Sequence, residues 1–259
     1  MNGANYITNF KGLTLWQASA DELPELAKFV VWENYAHHKG KSIDIDYYKN
    51  ESSPYYDEYI SVLKEEKKHF NYSASIIARN QDGIIVGTIR VMKWNENPNE
   101  IALIRLFGDG IINKEELLAN FKHVWHIGRF SVGRDCKEKA TLFRLLMVYA
   151  ISPIFQYKEG VLLAEIDEKL LRVMKLMKIQ AESLSGGIEY LGSVTIPVMI
   201  KKQGLEEFLF ESLSIALNFR YNNYEVKKHT INDQKNNLHN ATKNIKKENT
   251  LNIKNNIEY

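Results

Sequence analysis

Apolar residues follow two spacings along this chain, and the switches between them mark out the elements. Residues 12–18 (GLTLWQA) alternate and predict a short first strand. Ser19-Ala20-Asp21-Glu22 then supplies N-capping side chains, with Pro24 in the first turn, and Leu23, Leu26, Ala27, Val30 and Val31 recur at helical spacing. A polar, Tyr-rich stretch (37–54) separates this helix from a second at 55–70, strongly charged over 64–68. Residues 73–79 and 84–94 read as two strands joined through Asn80-Gln81-Asp82-Gly83, a hairpin signal. Residues 101–107 read as a further strand or turn and 114–120 as a short helix. The centre of the chain predicts a strand at 123–132, a loop at 133–139, a helix at 140–157 and a strand at 160–166. A strand-helix-strand unit of this kind makes its two strands parallel neighbours. Asp167 caps a helix to about residue 179, and Gly186-Gly187 interrupts the pattern. A long strand at 188–201 contains Pro197, and 205–217 closes as a helix or a strand-helix pair. The expected class is therefore mixed α/β (α+β), with antiparallel strands first and a crossover later.

Composition changes this picture mainly at the C-terminus. The chain has 259 residues, 44% hydrophobic and 25% charged, enough for an ordinary core without disulfides or metals. Its single cysteine, Cys136, allows no internal disulfide and fits a reducing, cytoplasmic setting. The N-terminal residues do not read as a signal peptide, and no apolar run reaches the ~18 residues of a membrane span. The last 33 residues hold seven Lys against three acids, so this segment carries +4 of the +2 total and the body is left at −2. A body without excess positive charge argues against nucleic-acid binding. The same segment has many Asn and few large apolar residues, a composition that cannot offset its ordering entropy. The expected organisation is one domain at 1–226 and a Lys/Asn-rich tail at 227–259, disordered or loosely packed, and solvated or in contact with a partner or a membrane surface.

The ordered words of the central unit carry a resemblance. Val124–Asp135 (VWHIGRFSVGRD), followed by Leu142-Phe143-Arg144-Leu145-Leu146, resembles the core of the GNAT-fold acyl-homoserine-lactone synthases and the related N-acyl amino acid synthases. Those proteins carry an acidic residue, a small residue and then Arg-Phe on the central strand. Here these positions hold Gly128, Arg129 and Phe130, with His126 where the family has its acid. Val86-Gly87-Thr88-Ile89-Arg90 resembles the family's Gly-x-x-Arg word, and Asp44 and Asp46 its acidic pair. The resemblance covers roughly residues 12–205. It implies a mostly antiparallel central sheet, flanked by helices, in which one parallel strand pair splays to admit a pantetheine arm. It also implies an acyl donor carried on acyl carrier protein or coenzyme A, and an amine acceptor. The N-terminal Trp/Arg pattern of the lactone synthases is blurred, and Gly133–Ala140 lacks the Gly-rich pyrophosphate loop of acetyl-CoA users. These departures turn the reading from lactone synthesis towards a long-chain donor and another amine, such as an amino acid.

Each candidate residue has a structural alternative beside its chemical one. His126 titrates near working pH and suits a base that deprotonates the amine; the alternative is a hydrogen-bonded strand histidine. Glu165 suits the same role, directly or through water, and would otherwise cap the next helix. Arg90 and Arg129 stand in apolar strands and need partners. Asp44, Asp46 or Glu165 would supply them, or a substrate carboxylate would. Phe130 and Ser131 are candidate acceptor contacts. Val132, Arg134, Lys137, Lys139 and Arg144 surround the start of the central helix, where unpaired N–H groups favour a phosphate or an acidic carrier protein; a solvated basic loop is the alternative. Met147, Met174 and Met177 read as core or as tunnel lining. No metal ligand set is expected. A short-chain acetyl-CoA enzyme and a silent acyl- or partner-binding module remain open beside the long-chain N-acyltransferase.

Overall fold

The computed structural model describes residues 5–39, 46–94 and 101–217. Asp44 and the segment 227–259 lie outside these residues. Sixteen strands and α-helices can be followed among them. Strand β1 (Asn5–Phe10) turns at Lys11-Gly12 into β2 (Leu13–Gln17); Lys11 and Gly12 have φ of 49° and 80°, the left-handed turn that a tight hairpin requires. A capping box between Ser19 and Glu22 starts the turn into α1 (Leu23–Lys39). Then follow α2 (Tyr56–His69), β3 (Ser73–Arg79), β4 (Ile85–Lys93), α3 (Ala102–Phe107), α4 (Lys114–Asn120), β5 (His123–Val132), α5 (Lys139–Ile151), β6 (Gly160–Asp167) and α6 (Glu168–Leu176). The remaining elements are β7 (Glu182–Ser183), β8 (Ile188–Tyr190), β9 (Ser193–Lys201) and α7 (Gln203–Leu217).

The described strands form one sheet in the order β1-β2-β3-β4-β5-β6-β9-β7, with β8 also paired to β9. Every pairing is antiparallel except β5 with β6. This is the mixed, mostly antiparallel sheet with a single parallel pair that the sequence predicts. The parallel pair is joined through α5, as a crossover connection demands. Helix α5 is buried from Leu142 to Ile151 apart from Arg144. It is apolar on nearly all sides because it lies between one sheet face and α7. On that face Ile89, Ile127, Leu162 and Ile166 meet Leu142, Leu146, Met147 and Phe208. The other face carries α1 and α2. There Tyr47 and Tyr48 of the Tyr-rich stretch join Tyr35 of α1, Tyr55 at the start of α2 and Tyr59 within it in an aromatic cluster.

Three expectations need correction. Residues 101–107, read as a strand or turn, form the helix α3, which buries Leu103 and Ile104, with Ile101 before them, in a second apolar cluster beneath β4 to β6; a run this short has the same apolar content in either conformation. The long strand at 188–201 is a hairpin instead. Leu191 and Gly192 take φ of 47° and 81° and reverse the chain between β8 and β9. The predicted helix at 140–157 stops being α-helical at Ile151, where Pro153 tightens the chain into a 3₁₀ turn (Ser152–Gln156). Strand β1 carries no alternation strong enough to be read from sequence.

Candidate active site

The site begins with two departures from regular sheet geometry on β5. The ladder to β4 pairs Thr88 with Ser131 but Arg90 with Gly128, so Arg129 and Phe130 together face the single residue Ile89. Arg129 absorbs the extra residue by taking φ of 55°. The Thr88 hydroxyl donates to the Arg129 carbonyl oxygen at 2.6 Å and holds the bulge in place. The second departure is on the other edge. The parallel ladder to β6 runs from His123 with Gly160 to Ile127 with Ala164. Beyond that point β5 continues on β4 to Val132, and β6 continues on β9 to Asp167. The strands part, and a wedge opens between them at Gly128.

A narrow cavity of about 90 Å³ threads this wedge. Glu65, Arg90, Arg129, Glu165 and Tyr190 line one side of it, and Met147, Leu162, Ile166 and Met174 the other. A larger cleft of about 410 Å³ adjoins it and shares Asn34, Phe130, Asp167 and Leu170. Its walls are mainly apolar, with Val132, Phe143, Val173 and Met177, and Ser131 and Lys139 at its polar edge. The sheet therefore separates a charged compartment from an apolar one, and the wedge connects them.

The charged compartment is built around α2. At helical spacing its buried face carries Val62, Glu65, Glu66 and His69, so carboxylates stand where a core helix would place leucines. Glu65 accepts from Arg90 Nη2 at 2.8 Å and Arg105 Nη2 at 2.6 Å, and pairs with Arg129 Nη2 at 3.0 Å. Glu66 accepts from Arg90 Nη1 at 2.6 Å, Arg129 Nε at 2.9 Å and Ser75 Oγ at 3.0 Å. All four carboxylate oxygens are engaged, as burial of charge requires. Burial disfavours ionisation of Glu65, but Arg129, Arg90 and Arg105 outweigh it and hold the carboxyl far below the usual range. Burial works against the Arg129 charge too, and Glu65, Tyr190 and Glu66 raise it well above its ordinary value. His69 closes the network. Burial first, then the Arg90 charge, depress it to about 4.

His126 and Glu165 form a second pair. Nε2 of the imidazole stands 2.9 and 3.0 Å from the two carboxylate oxygens. His126 is fully buried, whereas Glu165 lines the cavity. Among the described residues, Nδ1 of His126 has no hydrogen-bond partner. Gly128 keeps the neighbourhood open: a Cβ there would lie 3.3 Å from the His126 ring and 3.5 Å from the Arg90 guanidinium.

The structure thus gathers Arg90, Arg129, His126, Glu165 and Phe130 at the wedge. Ser131 is buried on the adjoining cleft. The partners of Arg90 and Arg129 are Glu65 and Glu66; the carboxylate of Asp46 is exposed and pairs with Lys49 at 3.0 Å. Val132 and Lys139 reach the apolar cleft, and Arg134 and Lys137 are exposed on the loop. Arg144 turns towards α7, where it donates to Ser212 Oγ at 3.0 Å. Sequence reading missed Glu65 and Glu66 because a run of charge predicts a solvated face. The available signal was their position on the stripe of Val62 and His69. No group of three or more potential metal ligands occurs among the described residues, and no described helix is long and apolar enough to cross a membrane.

No family model and none of the curated proteins matches this chain. Several solved structures are similar to it in outline. An uncharacterized protein from Bacillus halodurans is 13% identical, with 82% of this chain and 97% of that one covered and a TM-score of 0.47. FeeM, an N-acyl amino acid synthase from uncultured soil microbes, is 12% identical over 78% and 97%, with a TM-score of 0.45. The AHL synthase LasI is 12% identical over 77% and 91%, with a TM-score of 0.41. At these values the likeness carries no weight for the activity of this chain.

Proposed function

We propose that this chain is an N-acyltransferase that moves an acyl group from a pantetheine thioester to the amine of a small molecule. The observation that carries this reading is the wedge between β5 and β6, where an apolar cleft meets a cavity lined by Glu165 and Arg129. The thioester carbonyl sits in the wedge. Its acyl chain points among Met147, Leu162 and Met174, flexible side chains that suit an irregular apolar tunnel. The pantetheine arm lies along Phe130, Val132 and Phe143. The acceptor enters from the charged side, and Arg129, with donors beyond those given to Glu65 and Glu66, orients an anionic group such as an amino acid carboxylate.

The amine nitrogen attacks the thioester carbonyl carbon; a C–N bond forms, the C–S bond breaks, and the pantetheine leaves as its thiolate, which solvent protonates to the free thiol. Main-chain N–H groups of the splayed β5 edge face the developing oxyanion. Glu165 takes the proton that the amine loses; of the other carboxylates lining the cavity, Glu65 is held by three arginines and Asp167 accepts from Leu170 N as the cap of α6. His126 stands behind it and orients it through Nε2. The donor is carried on acyl carrier protein or coenzyme A, and a longer acyl chain fits the apolar lining better than acetyl. The test is incubation of purified protein with C2 to C16 acyl thioesters and a panel of amines, with free thiol followed by a colorimetric reagent and acyl-amine by mass spectrometry. The expected result is thiol release that depends on an amine, and a matching N-acyl product. Absence of both across the panel overturns the reading.

A further inference from the structure

Among the described residues, the charged network sets three guanidinium groups, Arg90, Arg105 and Arg129, against the two carboxylates of Glu65 and Glu66. His69 adds no charge at pH 7, since burial and then Arg90 hold it well below its ordinary value. Side-chain exposure rises from 1% at Arg90 through 6% at Arg129 to 46% at Arg105. Arg105 is therefore the outermost of the three. It stands on α3, one turn after Ala102, which lines the cavity. Its guanidinium and that of Arg129 converge on one oxygen: Glu65 Oε2 takes Arg105 Nη2 at 2.6 Å and Arg129 Nη2 at 3.0 Å. Burial works against the Arg105 charge; Glu65 and then Tyr190, which lines the cavity, support it, and Arg129 opposes it. Two cations gathered on one oxygen repel each other, and a second anion between them relieves that repulsion. Among the described residues Arg105 bonds only through Nη2, so most of its N–H donors are left to solvent or a ligand.

We propose that Arg105 is a specificity-determining residue for the acceptor: with Arg129 it holds the acceptor's anionic group at the mouth of the cavity. The proposal rests on the acyl-transfer reading above, and it adds to Arg129 a second and more accessible guanidinium. The acceptor enters as a zwitterion. Its carboxylate goes between the two arginines, and its ammonium turns towards Glu165, which takes the proton. Arg105 selects in both directions. An amine without an anionic group leaves the guanidinium pair unrelieved, and a polycationic amine meets Arg105 as a like charge on its way in.

The experiment compares the standard amino acids with the matching amino acid amides, which keep the shape and lose the carboxylate charge. Both sets are tried as acceptors for the wild type, Arg105→Gln and Arg105→Lys, and their binding is titrated by calorimetry. In the wild type, kcat/KM for the best acid should exceed that for its amide by more than about tenfold. Arg105→Gln should shrink this preference by about tenfold through the KM of the acid, with kcat moved by less than about threefold. Arg105→Lys keeps the charge without the planar fork and should restore part of the preference. A wild type that uses the amide as well as the acid overturns the proposal. So does an Arg105→Gln variant that loses acid and amide equally, which would leave Arg105 only a structural support for Glu65. If nothing is acylated but an amino acid binds, and Arg105→Gln weakens that binding more than that of the amide, the acyl-transfer reading falls and the role of Arg105 stands. Binding that the substitution leaves unchanged, or no binding of any amino acid, overturns the role itself.

Discussion

At the level of single residues, the proposed chemistry has Glu165 and His126 divide the work that one general base would do alone. Glu165→Gln keeps the shape of the cavity and removes its proton acceptor, so kcat should fall about 10²–10⁴-fold with donor affinity kept. Steady-state kinetics beside a donor-binding titration checks this; equal loss in both would mean that the residue only shapes the pocket. For His126, Gln at that position can still donate to Glu165 and Phe cannot. We expect His126→Gln to retain most of kcat and His126→Phe to lose it, with KM for the donor unchanged in both. Equal kcat in the two variants would remove the orienting role. Gly128→Ala places a methyl group 3.3 Å from the His126 ring, tighter than an ordinary contact, and 3.5 Å from Arg90. It should lower kcat more than thermal stability, read by melting temperature and turnover side by side.

Among the elements, α2 matters most, because its carboxylates are the only acidic partners recorded for Arg90 and Arg129 among the described residues. Glu66→Ala leaves two buried guanidinium groups short of a partner and should cost about 3–5 kcal/mol of stability, measured by urea unfolding. The pH response follows from the same helix. His69 faces Tyr72, Arg90, Glu65, Glu66 and Lys68, and its folded value of about 4 lies below the ordinary 6.5. Between those values the unfolded chain binds a proton that the folded chain refuses, so stability falls as pH drops through that window. Glu65, held low in the folded chain, adds a further loss as pH falls below the ordinary carboxylate range. Melting temperature should decline from pH 7 to pH 4, and His69→Gln should flatten the upper part of that decline. Both groups were hidden in the sequence for one reason. Alternation and helical spacing report apolar faces, and they located β3, β5, β6 and α4 closely. They are blind to a buried face made of paired charge, since the partners lie on strands 24 or more residues away. Arg129-Phe130 was legible as a word, but its bulge was not, because a left-handed arginine leaves no mark in a spacing pattern.

Across the whole molecule, the sheet acts as a partition with one opening. Continuous pairing from β1 to β5 on one side and from β6 to β9 on the other leaves the β5–β6 wedge as the meeting point of two compartments. This explains why the crossover helix α5 is so thoroughly buried: it is the strap that keeps the two halves together where their ladder stops. Phe143 spans the parts, edge-on to Phe130 of β5 and Phe208 of α7. Phe143→Ala should cost about 3–5 kcal/mol and widen the cleft, so that the preferred acyl chain lengthens. Calorimetry and a chain-length series read the two effects separately.

The lattice of Glu65, Glu66, Arg90 and Arg129 has one more consequence, for how α2 finds its seat. Apolar faces tolerate sliding, since one leucine replaces another at little loss. This face does not. Rotating α2 by one residue about its axis would bring Lys64 or Lys67 against two buried arginines, and a slide of one turn would offer Lys68 or the aliphatic Val62 and Ser61. Each misplacement leaves like charges together or guanidinium groups bare. The pairs that position the site therefore also serve as a key that admits the helix in one register and rejects its neighbours.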